Sequence, residues 1–391
     1  GGTLAGLESL LAQSLLQLEP DGRMHMLSPI REFSQERLST MPEAEEIRSR
    51  HARFFVELAE AAEPALRDSR QRDTFASLGR DWRNELSAMD WAIDRRRFDI
   101  AASIVTNTWV FSWQLNQLAS LSVKAAQIYE HDMELDPPLR SRLQFVAAGM
   151  YAEMGEHARS VPYGRRAIET AIEAGQPATE AWAHMMLAAG LAGLDALDPE
   201  IGEHVEASVT LAEQEGDPFL LAYAYSFRGS IFGLAGDIPA SLHWHSECLR
   251  LARSLDSDPL IAQALSQLAI TQILGADLAG ARQSLLDAGD SVGRLQSLEI
   301  IAYHLDAAAW LAFLEEDPVR AMTALGAAEA SRARSGISRW ATVEMIIGET
   351  AMAMESMDPE LRKAKQAGAA MRPHDALALA LARHHESSLT S

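Results

Sequence analysis

Four groups of side chains have the types that could do chemistry. His243-Trp244-His245 with Cys248 is the cluster that suggests a metal. On a helix, His245 and Cys248 share a face, whereas His243 and His245 point roughly opposite ways. A zinc site needs four ligands converging from several elements, and Cys248 falls on a small packing position, so a buried thiol is the simpler reading. No metal is assigned. His384-His385 lies in a polar tail and reads as solvated. Arg95-Arg96-Arg97 ends a helical run, where the dipole favours cations; a phosphate contact is the chemistry it could carry. No nucleophile, histidine and acid stand in a local catalytic pattern. The chain reads as non-catalytic.

The fourth group depends on a repeat. An acidic residue recurs at Glu156, Asp198, Asp237, Asp277, Asp317 and Asp358, with steps of 42, 39, 40, 40 and 41 residues. Each follows an apolar helical run and precedes another rich in Ala and Leu. Periods of this size mean stacked helix pairs. The expected fold is all-α: a tetratricopeptide-like solenoid, its repeats lengthened to about 40 residues. Gly229 and Ala309 mark close approach on first helices, and Ala281, Ala321, Ala288 and Ala328 do so on second helices. The acid itself reads as a cap of the second helix.

First helices of such arrays line a concave groove. Offsets from the acidic markers place Arg142, Phe145, His184, Tyr223, Ser226, Gln263, Ser266, Tyr303, Asp306, Trp310 and Glu344 there. Aromatics interleaved with hydrogen-bonding groups suit a ligand or peptide groove. The competing reading puts the same aromatics in the core between repeats.

The formal charge is −21, from 34 basic against 55 acidic side chains. That balance repels phosphate backbones and anionic lipid. Cys248 is the sole cysteine, which rules out a disulfide within the chain and suggests a reducing cytoplasm. No apolar run approaches a membrane span. Gly1-Gly2-Thr3 carries neither an initiator Met nor a signal-peptide pattern, so an excised piece of a longer protein is expected.

Along the chain, Leu7 to Leu16 reads as a helix. Extended runs Leu15–Leu18 and Met24–Leu27 flank Glu19-Pro20-Asp21-Gly22, a hairpin signal. Ser28-Pro29 then caps and opens a helix. Two long helices follow from Asp68 to Tyr129, broken near Arg95–Asp99, until Asp136-Pro137-Pro138 ends the region. The expected divisions are a partial winged-helix unit at 1–40, a helical linker and lead-in at 41–138, repeats at 139–371 and a tail at 372–391.

Ser14-Leu15-Leu16, Met26-Leu27 and Ile30-Arg31-Glu32-Phe33 resemble the winged-helix segment of bacterial STAND-type signalling ATPases, relatives of the NB-ARC and LuxR-like regulators. Arg50-His51-Ala52-Arg53-Phe54-Phe55, Ala61-Ala62-Glu63-Pro64-Ala65, Trp82-Arg83-Asn84-Glu85-Leu86 and Met89-Asp90-Trp91-Ala92 are similar to the helices leading into their repeats. The resemblance covers about the first hundred residues. It implies an upstream nucleotide-binding domain, with the repeats as sensor. This chain has no GxxxxGK[ST] loop, so no cofactor is expected here and ATP/Mg belongs to that absent domain.

The expected function is a non-catalytic sensor or protein-interaction module of a cytoplasmic signal-transduction ATPase regulating transcription. Its partners would be an inducer, protein or small molecule, and its own nucleotide-binding domain. Direct nucleic-acid binding is not expected, because only Arg31 and Arg37 are basic beyond the hairpin. The alternative is a stand-alone scaffold for a partner peptide.

Overall fold

A computed structural model describes residues 3–19, 22–295, 297–339, 343–344 and 358–382. His384 and His385 lie outside them. Two compact units divide the chain, residues 1–54 and 55–391.

In the first unit, α1 (Leu4–Ala12) is followed by a hairpin of β1 (Gln17–Leu18) and β2 (Met24–His25), then α2 (Ser28–Ser39) and the start of α3 (Ala44–Ala62). The strands pair antiparallel, Gln17 with His25 and Leu18 with Met24. Two boundaries differ from expectation. The Thr3 hydroxyl accepts from Gly6 N at 3.2 Å, so α1 starts early, and Ser14, at φ 57°, lies beyond its end. Ser28 is the first helical residue rather than the cap, a place taken by Leu27 without a side-chain bond. Leu4, Leu18, Leu27, Phe33 and Met41 are exposed.

In the second unit, α4 (Gln71–Asp94), α5 (Phe98–Gln114) and α6 (Leu118–Tyr129) precede the repeats. The helix pairs are α7 (Pro137–Glu153) with α8 (His157–Ala174), α9 (Pro177–Leu194) with α10 (Glu200–Glu215), and α11 (Pro218–Leu234) with α12 (Ile238–Ser254). Then come α13 (Asp258–Leu274) with α14 (Leu278–Arg294), α15 (Leu298–Leu314) with α16 (Pro318–Ser335), and finally α17 (Pro359–Ala370) and α18 (Pro373–Leu381). Each helix packs on its partner, and first helices stack on first helices. This is the tetratricopeptide-like all-α solenoid.

The acidic period has a capping cause. Carboxylates of Asp237, Asp277 and Asp317 accept from the backbone N–H three residues on, at 3.1, 2.9 and 3.0 Å. Those of Asp198 and Asp358 accept from the N–H two residues on, at 2.9 and 2.8 Å. Each satisfies a donor that the helix start leaves open. Glu156 makes no such cap, and its carboxylate holds Arg159 at 2.6 Å instead. First helices carry a second 40-residue series of caps at Asp217, Ser257 and Ser297.

Small residues decide how closely pairs approach. A Cβ on Gly229 would stand 2.4 Å from the His245 ring on the facing helix. Ala281, Ala288, Ala309, Ala321 and Ala328 are all buried. The tightest crossing joins α16 and α17: a Cβ on Gly326 would meet Lys365 O at 1.9 Å, and one on Gly368 would meet Thr323 O at 1.9 Å. Backbone lies on backbone there, with no flexible side chain to give way. Gly326→Ala should therefore loosen the end of the array by at least about 1–3 kcal/mol. Hydrogen exchange across Pro359–Leu381 measures it; unchanged protection in the variant would contradict this crossing.

The concave side is not empty. Helix α5 is buried on nearly every face, as expected of a helix enclosed by others. Trp109 packs edge-on against Phe145 (5.6 Å) and Trp182 (4.9 Å), and Trp113 lies 5.1 Å from Tyr223. Trp113 Nε1 donates to Glu299 Oε1 at 3.3 Å, and Leu298 N donates to Asn116 Oδ1 at 2.9 Å. Arg72 pairs with Asp258 at 2.6 Å, and Ser257 Oγ donates to Gln71 Oε1 at 2.8 Å. The lead-in helices thus dock along the N-terminal ends of α13 and α15, and α5 fills the groove's centre.

Candidate functional site: a cavity at the open ends of the first helices

What α5 leaves uncovered is the opposite end of the groove. A cavity of about 360 Å³ opens there among the C-terminal turns of α7, α9 and α11 and the start of α10. Its walls are largely Ala188, Ala189, Ala192, Ile201, Phe227 and Ile231. The polar lining comes from Glu153, His157, Gln267 and Arg339, with Asp198, Ser230 and Ser338. The small alanines of α9 create the space; a volume above about 300 Å³ is that of small-molecule sites.

Each polar group is positioned. Ser338 fastens to the end of α7, its N and Oγ donating to Glu153 O at 2.8 and 3.0 Å. The Glu153 carboxyl hydrogen-bonds that of Glu299. Burial pushes Glu299 well above the carboxylate range, and Glu153's charge pushes it the same way, so Glu299 keeps its proton at neutral pH. The His157 ring lies against Gly193, where a Cβ would meet its Nδ1 at 2.2 Å. Burial lowers its pKa and keeps the ring neutral. Gln267 Oε1 accepts from Ser226 Oγ at 2.7 Å, and its side chain also bonds Tyr303. Burial opposes the Arg339 charge, but Asp306, Glu344 and Glu329 outweigh it and hold the guanidinium ionised.

None of the eleven groove positions read from sequence lines this cavity. Phe145 and Tyr223 are buried against α5, where the Tyr223 hydroxyl accepts from Gln114 at 3.1 Å. Arg142 donates to Thr106 O at 3.2 Å and Asn107 Oδ1 at 2.9 Å, again on α5. Ser226, Gln263 and Ser266 are buried between first helices, and Ser266 Oγ lies 3.0 Å from His304 Nδ1. Asp306 is buried on Arg332. Tyr303 and Trp310 are half-buried, and Tyr303 borders a small recess beside Gln267 and Val343. His184 is half-buried against His204. Glu344 is exposed and pairs with Arg339. Most cavity residues escaped sequence reading because they sit on last turns of first helices or first turns of second helices, not at first-helix middles. Besides the acidic marker Asp198, their signal was the small-residue run from Ala188 to Gly193.

The other chemistry-bearing groups are packed, ion-paired or solvated. His243 is exposed while His245 and Cys248 are buried. His245 Nδ1 lies 3.0 Å from Thr271 Oγ1, and its Nε2 lies 3.2 Å from Ser226 O. Burial pushes the Cys248 thiol up to about 12, so it is inert at neutral pH. Arg96 and Arg97 are engaged by Glu134 and Asp99. Among the described residues no helix is long and apolar enough to cross a membrane.

No protein-family model and no curated protein matches the chain. Among solved structures it is similar to a signal transduction ATPase with numerous domains (STAND) protein with a tetratricopeptide repeat sensor, from Pyrococcus horikoshii. The identity is 13% and the TM-score 0.44, over 94% of this chain and 61% of that one. The chain therefore spans about three-fifths of that protein's length.

Proposed function

We propose that the chain is the non-catalytic sensor module of a cytoplasmic signal-transduction ATPase that regulates transcription, and that it binds a small-molecule inducer. The observation that carries this reading is the apolar cavity with a few fixed polar groups at the mouth of a groove otherwise filled by α5. Filling of the groove's centre by α5 favours a small ligand over an extended peptide, and so the sensor over the scaffold. The inducer would act through a higher affinity for one arrangement of the helices around the cavity. Residues 1–40 are read as the winged-helix remnant; their exposed Leu4, Leu18, Leu27 and Phe33 suit a surface that packs on the nucleotide-binding domain.

A thermal-shift screen against metabolites tests the reading. A binder at about 100 times its dissociation constant should add roughly 2.7 kcal/mol. That shift should vanish in Ala192→Leu, which fills the cavity, and persist in Trp310→Ala, which lies outside it. The reverse pattern would return the site to the groove positions around Trp310 and Tyr303.

A further inference from the structure

Four successive first helices end on the same residue type. Leu194 closes α9, Leu234 closes α11, Leu274 closes α13 and Leu314 closes α15. The leucines are 40 residues apart, and Met154, directly after α7, stands one step earlier. First helices stack on first helices. Equivalent positions of stacked repeats form a row, and this one runs along the edge where first helices turn into second helices.

Packing within the repeats accounts for only part of the row. Leu194 is 57% exposed, and Leu274 and Leu314 are each 39% exposed. Leu197, Phe313 and Val319 widen the apolar strip at its two ends, and all three are exposed. One exposed leucine needs no explanation, whereas a contiguous row of them marks a surface that meets another molecule. Acids border the row with the same period. Asp195, Asp237, Asp277 and Glu316 are exposed in the turns that follow it. Arg282 and Arg320, on the second helices beside it, are both taken up by Glu315. The edge is therefore an apolar strip with an acidic border.

We propose that this edge docks one amphipathic helix of a protein partner, apolar on one face and basic on either side of that face. Packed helices stand about 10 Å apart, and two turns of an α-helix advance about 10.5 Å. An apolar side chain at every seventh place of the partner thus meets one leucine of each repeat. An extended segment covers that distance in about three residues, which turns successive side chains to opposite faces. Lysines or arginines beside the seam face Asp195, Asp237, Asp277 and Glu316, which steers and orients the helix. Leu197 and Leu234 also line the cavity, so the docked helix lies across its mouth.

The test titrates the whole chain into a fluorescein-labelled probe helix of three heptads, with Leu along the seam and Lys beside it. Fluorescence anisotropy should report saturable one-to-one binding, and the same probe with Glu in place of Lys should not bind. Leu274→Gln with Leu314→Gln should weaken binding at least about tenfold, as loss of buried anchors does. Leu286→Gln, a similarly exposed position on α14, should leave it unchanged. Asp277→Asn keeps the cap of its helix and should lessen the salt dependence. Absence of saturable binding overturns the proposal. So does an equal affinity in the row variant and wild type, which would reduce binding to general attraction by a chain of charge −21. Sedimentation showing a dimer that Leu274→Gln with Leu314→Gln dissociates would also overturn it, by giving the row to a second copy of the chain.

Discussion

Replacing Asp306 by Ala is expected to destabilise the chain by about 3–5 kcal/mol, the range for breaking one side of a buried ion pair. Asp306 has no exposed surface, and Arg332 clasps it with two parallel bonds of 2.6 and 2.9 Å. Arg339 Nε approaches the same carboxylate at 3.5 Å. Without Asp306, Arg332 loses its carboxylate partner while its side chain stays only 10% exposed. Arg339 keeps Glu344 and Glu329 but loses its innermost anchor. Since Arg339 lines the cavity, the same change should weaken any ligand that uses it. Urea unfolding gives the cost, and hydrogen exchange should place it in α15 and α16. A loss below about 1 kcal/mol would mean that the pair is not desolvated as described. Asp306→Leu with Arg332→Leu should recover most of the loss, because removing both charges removes the orphan.

Asp306 also shows what the sequence could and could not tell. Its offset from the acidic marker put it among the groove positions, and the structure has it buried on Arg332 of the second helix. The period could not show what meets each position. Arg142, Phe145 and Tyr223 meet α5 through contacts made by residues about 35 to 110 positions away. No local pattern encodes such a meeting. Repeats, caps and small-residue crossings were legible because they depend on neighbours within one period. The cavity was not, because it exists only where α5 stops short and where Ser338 and Arg339 fold back against α7 and α15.

Buried titratable groups make stability fall on both sides of a maximum near pH 6.5. Burial lowers His245 and His304 to about 4. Between pH 6.5 and 4 the unfolded chain therefore binds protons that the folded chain refuses, and stability drops as pH falls. His184 adds to the same limb. Glu85 acts with the opposite sign. It has no exposed surface, neither carboxyl oxygen has a hydrogen-bond partner, and burial, with Asp81 adding to it, raises its pKa to about 8. Above the unfolded value of 4.5 the folded chain keeps a proton that the unfolded chain releases, so stability is lost as pH rises through 8. Glu299, raised by burial and by Glu153, reinforces that limb. From pH 6.5 to 8 Glu85 alone accounts for about 2 kcal/mol, at 1.36 kcal/mol per pH unit. Glu85→Gln keeps the shape and removes the titration, so it should flatten the alkaline limb by that amount and, because Glu85 opposes the histidines above pH 4.5, steepen the acid limb between pH 4.5 and 6.5. Melting temperatures from pH 4 to 9 separate the two limbs. A wild-type plateau from pH 6.5 to 8 would mean that Glu85 is ionised and solvated in the folded chain.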